Sequence, residues 1–521
     1  MRVSVTKSAI QLAILSTASL VLSLGFQVAV AALFGASSDL DAFWIALALP
    51  KAIVDSVHLG LLTIVFILIF NEPQSEEGKD VHGELASSVV SAVLAATLVL
   101  IPVLMLTAPV LTTWTGRGLD PEHLTQAARM LRLLSLMLLP SAVAGTFAGI
   151  LHAHRRFVPF ALGRVLSVAA QLLVLFVAVV SLGLHLSALV WSTLAGSVVL
   201  LLCCLPGFLR TGFRYRPMLR WRRPQERAIF DVALAIVAFS MLDRLNQAID
   251  RFVASFGDAG SISALEFGWR FEIPIVQVVS MSVALPTLAL MAAQAGRMQR
   301  AALRTTMTES LQLMTLLVVP MIGFLVVLRE PLTSLWFERG AFSEESARLV
   351  ASLLPFMGVM FLMRAFSTVT VYGLLALGKL RFLLSVLSVE VLMNACLNAL
   401  LFPRLGLRGV VLATAISMTL GSLWIARGLS KSLHVSFTSF TGELGRPLVA
   451  SLSSVLSLAV VVQVSGVAWI GGTHLARALD LAAMGAAFGL GHLLIATGFR
   501  LVDLRLGTGV PRLLLGDARA D

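Results

Sequence analysis

The sequence predicts an all-α, polytopic membrane protein of about 14 spanning helices, each about 20 apolar residues long. Three observations predict it. Hydrophobic residues make up 58% of the 521-residue chain and charged residues only 13%. The mean hydropathy of +0.92 lies outside the range of soluble domains. Apolar stretches recur from end to end, centred near Leu20, Val57, Ala95, Pro140, Leu172, Ala195, Val237, Val279, Leu317, Met360, Leu387, Ile416, Leu456 and Phe488.

The first stretch follows Arg2 and Lys7 and ends near Ala29-Val30-Ala31, as a cleaved leader does. Its apolar run is longer than the roughly 7–15 residues of a leader core, so it reads as an uncleaved first span. The later spans are separated by short basic connectors: Arg155-Arg156, then Arg210 to Arg223, Arg297 to Arg304, Lys379 to Arg381, and Arg427 to Lys431. With 14 spans these connectors share one side, and the positive-inside rule places them and both termini in the cytoplasm. The acidic connector from Asn71 to Glu84 falls on the same side, but acidic residues weigh little in that rule. The net charge of +11 is thus accounted for by topology and implies no nucleic-acid partner. Trp114, Trp336 and Trp469 lie near span ends, as an interfacial belt requires.

An internal repeat organises the chain. Phe34-Gly35 matches Phe256-Gly257, Gly149-Ile150-Leu151 matches Gly373-Leu374-Leu375, and Leu182-Gly183-Leu184 matches Leu405-Gly406-Leu407. The three separations are 222, 224 and 223 residues. Each repeat holds six spans, so both halves share one orientation and a substrate is expected between them near mid-membrane. The expected division is a six-helix lobe over residues 1–224, a second over 225–438, and two extra helices with a tail over 439–521.

Polar residues inside these spans are costly in lipid and mark a pathway by default. Lys51, Asp55 and His58 follow Pro50 on one helical face, as the wall of a cavity or as a self-satisfied pair. Asp243, Arg244, Asn246, Gln247, Asp250 and Arg251 crowd the seventh span, and Glu266, Arg270 and Glu272 surround Pro274 in the eighth. Arg270 can pair with Glu266 one turn away, or grip a phosphate with its guanidinium fork. Glu390, Asn394 and Asn398 step along the eleventh span at four-residue intervals, as oxygen ligands for a hard cation, a proton relay, or interhelical glue.

Cys203, Cys204 and Cys396 lack metal-site spacing and read as buried small hydrophobes. His152 and His154 beside Arg155 read as headgroup-facing side chains. No phosphate-binding glycine loop, HExxH motif or soluble catalytic domain is present, which disfavours a pump driven by ATP and a membrane-embedded enzyme.

These residues meet a family. Phe34-Gly35-Ala36, Asp41-Ala42-Phe43 and Pro50 resemble the first two helices of the MurJ/MviN flippases, and Phe337-Glu338-Arg339-Gly340-Ala341-Phe342 is similar to that family's FERGAF segment, letter for letter. Asp250-Arg251 with Ala254-Ser255-Phe256 resembles its seventh-helix end. The resemblance implies a flippase of the MOP superfamily, carrying undecaprenyl-diphosphate-linked peptidoglycan precursor across the bacterial cytoplasmic membrane by alternating access. It implies no enzymatic activity and no cofactor beyond Na⁺ or H⁺ coupling, with a lipid-linked oligosaccharide, the bilayer and cell-wall synthesis enzymes as partners.

The resemblance assigns a cavity arginine to Arg270, and an ion site to Asp250, Asn394, Asn398, Val410 and Thr414, with Glu390 one turn away. Lys51, Asp55, His58 and Arg244 complete the expected substrate-binding set. The chain departs from the family pattern in its first two helices, where cationic positions become Leu20, Phe26-Gln27 and Val54-Asp55. That departure keeps open another lipid-linked glycan, such as an exopolysaccharide or teichoic-type precursor, and a transport-dead scaffold for wall synthesis.

Overall fold

A computed structural model describes residues 2–56, 66, 69, 78–218, 224–434, 442–465 and 474–499. All regular structure among them is helical. In lipid each backbone polar group must be satisfied within its own segment, and helices achieve this locally. The order is α1 (Arg2–Phe34), α2 (Ser38–Ile53), α3 (Gly78–Thr115), α4 (Pro121–Leu134), α5 (Leu138–Ala153), α6 (Val158–Val180), α7 (Ser187–Leu209) and α8 (Pro224–Ala254). Then follow α9 (Ser261–Trp269), α10 (Met281–Gly296), α11 (Arg300–Val327), α12 (Arg329–Phe337), α13 (Glu344–Ala376), α14 (Leu380–Leu405), α15 (Leu407–Leu433), α16 (Gly445–Ser465) and α17 (His474–Gly498).

Eleven helical stretches among the described residues are long and apolar enough to cross a membrane, so this is a multi-pass membrane protein. They coincide with eleven of the fourteen expected centres. The other three behave differently. Val57 lies outside the described residues. The stretch around Val237 is the polar helix α8. The segment around Val279 is divided between a wide turn over Ile273–Ser280 and α10, after Pro274 removes a backbone donor.

Helix ends follow local chemistry. Ser37 Oγ accepts from Leu40 N–H at 3.3 Å and starts α2, and Ser343 Oγ accepts from Ser346 N–H at 3.2 Å and starts α13. Pro121 occupies the first position of α4, where its missing donor costs nothing. Left-handed residues recur at the repeat spacing. Arg155 (φ 58°) and Gly378 (φ 69°) are 223 residues apart, as are Gly183 (φ 60°) and Gly406 (φ 55°). The helices that follow the first pair begin at Val158 and Leu380, 222 residues apart.

The chain forms two compact units, Met1–Ser263 with Arg339–Phe342, and Ala264–Glu338 with Ser343–Asp521. In the first, α6 packs on α7 and α1, α5 on α7, and α4 on α2 and α3. In the second, α14 and α13 pack on α15, α11 on α13 and α16, and α16 on α17. The cysteine expectation needs one correction. Cys204 is buried and Cys203 partly so, but Cys396 is exposed on its helix, and a small apolar residue there faces outward rather than into the protein. Trp114 is exposed at the end of α3, whereas Trp336 stacks on Phe271 with centroids 4.8 Å apart. Trp469 lies outside the described residues.

Candidate functional site

In the first unit, Pro50 and the wider turn at Val54-Asp55-Ser56 end the regular helix α2 and set Lys51 and Asp55 one turn apart. Lys51 Nζ lies 3.0 Å from the Asp55 carboxylate. Arg244 of α8 reaches the same carboxylate at 3.5 Å and donates to Gln247 Oε1 at 3.4 Å. Two cations thus share one carboxylate. The side chains of Lys51, Arg244 and Asp55 are 48%, 34% and 21% exposed, so the cluster is partly open rather than sealed within the protein. His58 lies outside the described residues. Further along α8, Asn246 and Asp250 are buried.

The same unit holds a buried carboxylate that the sequence did not single out for chemistry. Asp41, in the first turn of α2, accepts from Gly260 N–H at 2.9 Å and from Ser263 N–H at 2.6 Å, and the Ser263 hydroxyl donates to it as well. From the FERGAF turn, Ala341 N–H donates to the Ala32 carbonyl at 2.8 Å. Gly340 (φ 60°) permits that approach, since a Cβ there would collide with the Ala32 oxygen.

In the second unit Arg270 lies 3.5 Å from Glu266, and both are largely buried. Arg364 of α13 lies 3.2 Å from Glu272 and 5.9 Å from the Trp269 ring centroid. Arg364 was missed because it stands alone in an apolar run, although a lone arginine in a span is itself a signal.

The ion-coupling expectation divides between the units. In the second, Asn394 Oδ1 accepts from Asn398 Nδ2 at 3.1 Å and from Thr414 Oγ1 at 3.2 Å, while Thr414 also donates to the Val410 carbonyl at 3.1 Å. Asn394, Asn398 and Thr414 are buried. Glu390 is buried beside Gly421, where a Cβ would collide with its carboxylate. Neutral oxygens of Asn394, Thr414 and Val410 thus gather at α14 and α15, with the Asn398 amide nitrogen turned toward them. Asp250, the carboxylate of the expected set, belongs to the first unit. No cluster of three or more His, Cys, Asp or Glu side chains suited to a metal occurs among the described residues.

Comparison with known proteins supplies the wider frame. The family model for lipid II flippase MurJ matches residues 30–482. A probable lipid II flippase MurJ from Vibrio cholerae is 26% identical, covering 96% of this chain and 98% of that one. Another from Synechocystis is 25% identical over 82% of each chain. Among solved structures, a lipid II flippase MurJ in an inward closed conformation superposes with a TM-score of 0.76 at 19% identity, covering 94% of this chain and 99% of that one. An inward-facing multidrug resistance transporter of the MATE family superposes at 0.62 and 16% identity, covering 80% and 95%. These two likenesses concern the fold.

Proposed function

Because the chain belongs to the MurJ family of lipid II flippases, we propose that it moves undecaprenyl-diphosphate-linked peptidoglycan precursor across the bacterial cytoplasmic membrane. One observation carries this reading: the family match over residues 30–482 includes every candidate site residue. The cluster of Lys51 and Arg244 on the single Asp55 carboxylate supports it, since one positive charge is left over for a substrate anion to offset.

In this reading the diphosphate is held by Arg270, Lys51 and Arg244, with Asp55 and His58 completing the polar wall. The lobes over 1–224 and 225–438 alternate between inward- and outward-open states, and the helices beyond 439 attend to the lipid tail. Both termini lie in the cytoplasm. The chain works as a transporter rather than an enzyme, and its basic loops are available to cell-wall synthesis enzymes. Asp250, Asn394, Asn398, Val410 and Thr414 would hold Na⁺ or relay a proton, with Glu390 as a second carboxylate. Moving one charge across 100 mV supplies about 2.3 kcal/mol for the return step.

The second reading, a different lipid-linked oligosaccharide, draws on Leu20, Phe26-Gln27 and Val54-Asp55, where the family pattern has cations. Complementation of a strain depleted of its essential lipid II flippase separates the two. Growth with the wild-type chain, lost with a membrane-inserted Arg270→Ala variant, supports lipid II transport. Lack of rescue by a correctly inserted wild-type chain refutes it.

A further inference from the structure

We propose that the second unit carries a site for a bilayer lipid with a zwitterionic amine–phosphate headgroup, of the phosphoethanolamine class, in a cavity at the start of α11. The site shares no residue with the expected substrate and ion sets, and it stands whatever lipid-linked glycan the chain carries.

A cavity of about 580 Å³ opens where α11 begins, where α15 ends at Leu433, and where Glu443 leads into α16. Small-molecule sites span about 300–1,000 Å³. All three helices are long and apolar enough to cross a membrane, and their ends meet here. The cavity therefore sits where the chain leaves the apolar layer, at the level of lipid headgroups.

Its wall is charged but balanced. Arg300 and Arg304 bring two guanidinium groups, and Glu309 and Glu443 bring two carboxylates. One pair is internal. Arg304 Nη2 lies 2.7 Å from the Glu443 carboxylate, and Gln312 Nε2 donates to the Glu443 carbonyl at 3.0 Å. Glu443 is thus pinned by side chain and backbone. Arg300 and Glu309 make no ion pair among the described residues, and they leave one positive and one negative charge on a shared wall. A purely anionic headgroup would meet Glu309 as well as Arg300. A headgroup with both a phosphate and an ammonium satisfies the two together.

The placement keeps the two ends apart. Arg300 opens α11, which has no side-chain cap, and Arg304 follows one turn on; a helix start favours phosphate. Glu309 comes five residues after Arg304, about 7.5 Å further along the axis. Beside it Thr308 lines the cavity and is 7% exposed, and its hydroxyl has no hydrogen-bond partner among the described residues. Such a hydroxyl is costly unless a ligand or water meets it. The phosphate is held at the helix start by the arginines, and the ammonium, with three N–H donors, turns to Glu309 and Thr308. A quaternary choline headgroup has the charge but no N–H to donate, so the site favours the primary amine.

The test is native mass spectrometry of the purified full chain, titrated separately with phosphatidylethanolamine, phosphatidylcholine and phosphatidylglycerol of identical acyl chains. The wild type should bind the ethanolamine lipid about tenfold more tightly than the other two, the worth of one charge-assisted contact. Equal binding of all three overturns the proposal, and so does a preference for the glycerol lipid, which marks a site for net-negative headgroups. Glu309→Gln should erase the preference for ethanolamine over glycerol lipid, and an unchanged preference overturns the site. Thr308→Val keeps the shape, should melt no lower than wild type, and should weaken ethanolamine-lipid binding several-fold; unchanged affinity overturns the hydroxyl contact. If Glu309→Gln does not fold, Thr308→Val and Arg300→Gln decide together, and wild-type binding by both overturns the site. Soluble phosphoethanolamine should compete only weakly, because it lacks acyl chains. If it binds as tightly as the lipid, the ligand is a free aminophosphate and the bilayer source is overturned.

Discussion

Replacing Asp41 by alanine should destabilise the first unit more than any other single polar substitution near α2. The carboxylate is 4% exposed and accepts from two backbone N–H groups and one hydroxyl. Asp41→Ala leaves the Gly260 and Ser263 N–H groups buried without an acceptor. Each such group costs about 1–3 kcal/mol, so the pair costs about 2–6 kcal/mol. At about 2 °C per kcal/mol for a unit of this size, the melting temperature should fall by about 4–12 °C. Ser263→Ala removes one charge-assisted hydrogen bond and should cost about 1.5–3 kcal/mol. Because the Ser263 hydroxyl has its partner in Asp41, the double variant should melt close to Asp41→Ala alone. The assay is thermal unfolding of detergent-purified variants, followed by fluorescence-detected size exclusion. If Asp41→Ala melts within about 2 °C of wild type, the buried acceptor is not holding these donors and the reasoning fails.

Three further outcomes are expected. Gly340→Ala should lose more stability in the same assay than Gly183→Ala. Both residues have φ near +60°, worth about 1–2 kcal/mol for a side chain, but only at Gly340 would the new Cβ collide with backbone; equal losses would discount the contact with Ala32. Lys51→Arg should keep transport and Lys51→Ala should lose most of it, read as lipid II movement in proteoliposomes; equal transport by both would reduce Lys51 to a partner of Asp55. Imposed Na⁺ or pH gradients should alter wild-type transport and leave Asp250→Asn indifferent, and a wild type that ignores both gradients removes ion coupling from this chain.

The spans were legible because lipid imposes a local rule. A helix that satisfies its own backbone over about 20 residues needs only a run of apolar side chains, and such runs can be read without knowing what lies beside them. Left-handed turns at Gly183 and Gly406 stand at the spacing of the repeat expected from the sequence. Segments with mixed polarity resisted. Among the described residues, the polar helix α8 and the broken stretch after Pro274 are not among the helices long and apolar enough to cross a membrane.

By itself the sequence determined a polytopic helical membrane protein, its family resemblance, and the one-turn pairs Lys51–Asp55 and Glu266–Arg270, all set by spacing along a single helix. Only the tertiary structure decided who meets whom across helices. It brought Asp41 to Ser263, which lies 222 residues away, Arg364 to Glu272, and Arg244 to Asp55. The physical reason is that helical periodicity defines which face a side chain occupies, while the partner on the opposing face is chosen by how whole helices pack, and that packing is a property of the assembled chain rather than of any stretch of it.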